Sequence, residues 1–85
     1  MAEEQVTFHN KAEIRVQAQI FTGRTLISTC LANPGETHTL QNGSVPYDIY
    51  LKNAATGWEI ARRQDNETAT VVLSHHRGRY VLSEN

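Results

Sequence analysis

Apolar residues recur at every second position through several short runs of this chain, and no stretch keeps the spacing of an amphipathic helix. The cleanest alternation covers residues 13–21, with Ile14, Val16, Ala18 and Ile20 on one side and Arg15, Gln17 and Gln19 on the other. A second covers residues 47–53, where Tyr47, Ile49 and Leu51 oppose Asp48, Tyr50 and Lys52. Successive side chains of a strand point to opposite faces, so a period of two predicts half-buried strands. Shorter pieces follow the same rule: Val6 with Phe8, the stretch 25–32, Leu40 within 37–41, Val71 with Leu73, and Tyr80 with Leu82.

The residues between these runs are turn formers. Gly23-Arg24 suits a two-residue hairpin with glycine first, the type II′ requirement. Asn33-Pro34-Gly35-Glu36 carries proline second and glycine third, which favours type II. His75-His76-Arg77-Gly78 closes a last hairpin of two or four residues.

The hairpin of residues 46–63 has the most explicit pairing plan. A four-residue loop, Ala54-Ala55-Thr56-Gly57, sets Asn53 opposite Trp58. Stepping outward, Lys52 meets Glu59, Leu51 meets Ile60 and Asp48 meets Arg63, so charge and hydrophobicity choose one register. In that register Arg62 lies on the inward face near Ile49, its stem along the core margin. The Gly23 turn likewise pairs Ile20 with Ile27, Ala18 with Thr29 and Val16 with Leu31. Leu26 and Cys30 then fall on the outer face, with Leu26 beside Phe21.

Seven or eight short strands with turns between them predict an all-β fold, a small antiparallel β-sandwich. Its nearest general types are immunoglobulin-like and transthyretin-like sandwiches, with a small barrel as the alternative. The 85 residues make one domain, residues 1–85, with a correspondingly small core.

Composition narrows the function classes. A formal charge of −1 is unlike a nucleic-acid binder that works through a basic stripe, or a polybasic protein at a membrane surface. A single cysteine, Cys30, allows no internal disulfide, and the N-terminal Met1-Ala2-Glu3-Glu4 lacks the basic and apolar regions of a secretory leader. A cytoplasmic setting is the expectation, a removed leader aside.

No nucleophile with a base, no paired carboxylates and no phosphate loop occur at a meaningful spacing, so the chain reads as non-enzymatic, with no cofactor. His75 and His76 are adjacent and so point to opposite faces of a strand. Sharing a metal would require the turn itself and a third ligand such as His38. They are weak metal candidates beside a plain solvated loop, and Arg77 with Arg79 could instead hold a carboxylate or phosphate. Two binding readings remain. In the first, a sheet edge or the apolar face at Phe21 and Leu26 pairs with another protein or with a second copy, giving a homodimer. In the alternative, Arg62, Tyr47 and Trp58 line a small-ligand or carbohydrate pocket, against the plainer role of Trp58 in the core.

Overall fold

The computed structural model describes residues 5–84. Eight strands occur among them: β1 (Gln5–Asn10), β2 (Val16–Thr22), β3 (Thr25–Ala32), β4 (Thr37–Gln41), β5 (Tyr47–Asn53), β6 (Glu59–Asn66), β7 (Thr70–His76) and β8 (Arg79–Ser83). They form two four-stranded sheets, ordered β4-β1-β7-β8 and β3-β2-β5-β6, packed as a sandwich and not closed into a barrel. An immunoglobulin arrangement would unite the first, second, fourth and fifth strands in one sheet. Here β2 and β5 sit in one sheet and β1 and β4 in the other, so the strand order is not the immunoglobulin one.

All pairings are antiparallel except one. β1 runs parallel to β7, with Phe8 opposite Val71 and Asn10 opposite Leu73. Their separation in sequence makes that pairing invisible to local alternation, and a parallel pair needs a long crossover between its strands.

Val6, Phe8, Val71 and Leu73 from one sheet meet Val16, Ala18, Ile20, Tyr47, Ile49 and Leu51 from the other, all buried. Each of these was an inward position of the alternating pattern. Tyr47 reaches through this layer to donate its hydroxyl to the Thr68 carbonyl at 2.7 Å, which satisfies its only polar atom. Asn10 is a buried polar residue with a structural task. Its Nδ2 donates to the Ile14 and Ala32 carbonyls at 2.9 and 3.0 Å, and its Oδ1 accepts from the Ala12 amide at 2.9 Å. One side chain thereby fastens the bend after β1 to the end of β3.

The turns follow their residue chemistry. Gly23 has φ +63° with Arg24 on the ordinary side, as type II′ demands. Arg77 and Gly78 both have positive φ, and His76 pairs with Arg79, so the last loop is a two-residue type I′ turn.

Two registers depart from the expected ones, β5–β6 through shifts between Leu51 and Lys52 and between Tyr47 and Ile49, and β2–β3 through one. In β5–β6, Lys52 does face Glu59, but Leu51 lies opposite Ala61 rather than Ile60, and Arg63 opposite Ile49 rather than Asp48. Ile60 is the extra residue. The shift moves Arg62 away from Ile49 and sets Arg63 there instead, where Glu84 pairs with the guanidinium at 3.1 Å. Arg62 then faces solvent, opposite Tyr50. In β2–β3 the shift falls between Ile20 and Phe21, so Ile20 pairs with Ser28, Ala18 with Cys30 and Val16 with Ala32. Cys30 therefore turns inward and is half-buried, and Leu31, expected inside, is exposed.

Candidate functional site

The outer face of the β3-β2-β5-β6 sheet gathers the residues most suited to binding. Phe21 sits opposite Leu26 on one side and Asp48 on the other, and Gln19 opposite Tyr50. The Phe21 and Tyr50 rings meet edge to face, with centroids 5.4 Å apart at 84°. The Arg62 guanidinium lies 5.0 Å from the Tyr50 centroid. Glu59 holds Arg62 from below by two bonds, Nε to Oε2 at 2.7 Å and Nη2 to Oε1 at 2.9 Å. Gln64 donates to the Tyr50 hydroxyl at 3.2 Å. An aromatic pair and a clamped arginine thus form one connected cluster on an exposed sheet.

The Glu59–Arg62 pair depends on the bulge. Residues three apart in a regular strand point to opposite faces. The additional residue at Ile60 puts Glu59 and Arg62 on the same face. The hydrogen bonds from Arg62 hold the Glu59 carboxyl below its ordinary range, and the same bonds hold Arg62 above its own. Beside the cluster lies a shallow, open depression of about 360 Å³, lined by Gln19, Phe21, Arg24, Tyr50, Lys52 and Glu59.

The pocket expected from Arg62, Tyr47 and Trp58 is not assembled. Tyr47 is fully buried, whereas Trp58 is 75% exposed at the β5–β6 hairpin and is no core residue. Arg62 is on the outer face, away from both the core margin and Tyr47. Its neighbour Arg63 bonds Glu84 at 3.1 Å instead of Asp48, whose carboxylate accepts the Asp65 amide. Phe21 and Leu26 do pair on the outer face, and Leu26 is 47% exposed.

The histidines are dispersed. His38 lies on β4 opposite Phe8, in the row of Val71, while His75 and His76 are at the far end of β7. His75 stacks on Tyr80 with centroids 4.5 Å apart, and its Nδ1 lies 2.9 Å from a Glu13 carboxylate oxygen. His38 contacts Glu36 at 3.1 Å. No group of three or more metal-ligating side chains forms among the described residues. Arg77 occupies the β7–β8 turn, while Arg79 joins Arg62 and Arg63 along a groove between β6 and β8.

Tyr50 and Glu59 are the site residues that alternation alone passed over. Their local signal was weak, because Arg62 and Arg63 are adjacent and either register sets one arginine opposite Ile49. Moving the register by one residue there gives Arg62 both Glu59 and the face of Tyr50.

Comparison with protein-family models, curated proteins and solved structures finds no match for this chain. No helix among the described residues is long and apolar enough to cross a membrane.

Proposed function

We propose that the protein is a non-enzymatic association module that pairs with a second copy of itself through the outer face of the β3-β2-β5-β6 sheet. The observation that carries this reading is the apolar and aromatic cluster on that face. Leu26 is 47% exposed beside Phe21, Tyr50 abuts Phe21, and Leu31 further along β3 is 45% exposed. Apolar side chains gathered on one sheet face of a small domain favour burial against a partner, and two-fold pairing lets one patch cover its own copy. Arg62 and Glu59 supply a polar rim whose geometry is already held in the single chain. A reducing, cytoplasmic setting suits a module with one unpaired cysteine.

Light scattering across a concentration series tests this. The unmodified protein is expected to have the mass of a dimer at high micromolar concentration, and Leu26→Asp that of a monomer with an unchanged fold. A monomer at every concentration, or a dimer indifferent to Leu26→Asp, refutes the reading.

The depression beside Tyr50 favours a second reading, a small-ligand site. Its volume of about 360 Å³ falls within the range of small-molecule sites, and it joins two aromatic rings to the polar groups Gln19, Arg24 and Lys52. A ligand screen on the monomeric Leu26→Asp protein, repeated with Tyr50→Ala, distinguishes the two. Saturable binding lost with Tyr50→Ala supports the site, and no binding in the screen opposes it.

A further inference from the structure

The two long sides of the sandwich are unlike each other. On the β3–β4 side the sheets are tied together: Ser28 donates to the Gln41 carbonyl at 2.6 Å and Thr22 to the Asn42 carbonyl at 2.7 Å. On the β6–β8 side, a groove of about 570 Å³ separates the two edge strands. Its cations are Arg62, Arg63 and Arg79, and its apolar surface comes from Ala61, Val81 and Leu82.

The backbone of β8 is open toward this groove. A two-residue hairpin makes its flanking residues, His76 and Arg79, a hydrogen-bonded pair, and the bonding alternates from there. Tyr80 and Leu82 therefore aim their amides and carbonyls away from β7, and no described group bonds them. An unpaired strand edge is a template for another strand. The groove also accepts carboxylates already: Glu84, just beyond β8, places an oxygen 3.1 Å from the Arg63 guanidinium. Arg79 has no acidic partner among the described residues.

We propose that the β6–β8 side binds an extended acidic peptide segment of a partner protein, added as a strand along β8. The peptide backbone bonds the free groups of Tyr80 and Leu82. On the inner side of the added strand one carboxylate replaces Glu84 on Arg63, and on the outer side another meets Arg79. Apolar side chains next to them cover Val81 on the outer side and Leu82 on the inner side. This site does not rest on the Phe21–Leu26 face: Arg62 borders both, but the β8 edge and Arg79 belong to the other sheet.

Fluorescence anisotropy with a labelled peptide of repeated Glu-Glu-Val-Val, which sets both residue types on both faces of a strand, tests the proposal, with a Lys-Lys-Val-Val repeat as the charge control. A Glu–Val peptide N-methylated at alternate amides keeps the charge but cannot form the ladder. Binding is expected for the Glu–Val peptide alone, weakening as salt rises. Arg79→Glu is expected to reduce affinity about threefold to tenfold. Leu26→Asp is expected to leave it unchanged, so failure here and failure of self-association are told apart. No saturable binding at low salt overturns the proposal. So does equal binding of the Lys–Val or N-methylated peptide, or indifference to Arg79→Glu in a protein whose circular dichroism is unchanged.

Discussion

Replacing Asn10 by alanine removes three hydrogen bonds from a residue with no exposed surface. A buried bond contributes about 1 kcal/mol net, and an abandoned buried donor or acceptor costs about 1–3 kcal/mol. The Ala12 amide and the Ala32 carbonyl both belong to buried residues, so they have little access to water. A loss of about 3–5 kcal/mol follows. Total stability for a domain of this length is about 4–13 kcal/mol, so the variant should lie near the limit of folding.

Asn10→Asp sharpens the test. It keeps an acceptor for the Ala12 amide but sets a carboxylate against two carbonyls, so its folded pKa should be raised above the ordinary value. Below the unfolded pKa, about 3.9, both states are protonated and the penalty from charge is absent. It grows as pH rises from there toward the folded pKa. Urea titrations followed by far-ultraviolet circular dichroism measure both variants, because Trp58 is too exposed for its fluorescence to report unfolding well. An Asn10→Ala midpoint within about 0.5 kcal/mol of the parent, at equal slope, refutes the reasoning.

Gly43→Ala should destabilise by about 1–3 kcal/mol in the same titration, combining a poor backbone conformation with overpacking. Gly43 has φ +76°, and a Cβ there meets Thr22 Oγ1 at 2.8 Å and Ile27 Cδ1 at 3.1 Å. The Cys30 thiol, pushed up chiefly by burial, should react with a thiol-specific disulfide reagent more slowly at neutral pH than after unfolding in urea; equal rates would place it at the surface. Glu13, Glu36 and Glu59 all have folded carboxyl pKa values held below the ordinary one. For Glu13 and Glu36 a backbone hydrogen bond leads the causes, and for Glu59 the Arg62 side chain does. Their contribution is present above the unfolded pKa and disappears as pH falls through the folded values, so the urea midpoint should drop below about pH 4. A midpoint that rises on acidification would contradict that sign.

Local pattern was sufficient for the strands and most of the core. Val6, Phe8, Val16, Ala18, Ile20, Tyr47, Ile49, Leu51, Val71 and Leu73 are buried because a period of two assigns each a side before any partner is chosen. Turn residues were as informative, since Gly23 and Gly35 stand where positive φ is required. Tertiary structure decided what depends on partners distant in sequence: the parallel β1–β7 pairing, the division of strands between sheets, and the groove between β6 and β8. It also decided the bulges at Ile27 and Ile60 and the second β5–β6 shift between Tyr47 and Ile49. Counting outward from a turn assumes an unbroken ladder, and one additional residue reverses the side of everything beyond it. At Ile60 that reversal took Arg62 from beside Ile49 to the face of Tyr50 and put Arg63 in its place, while the separate bulge at Ile27 turned Cys30 inward, because strand side chains alternate and each additional residue inverts the alternation.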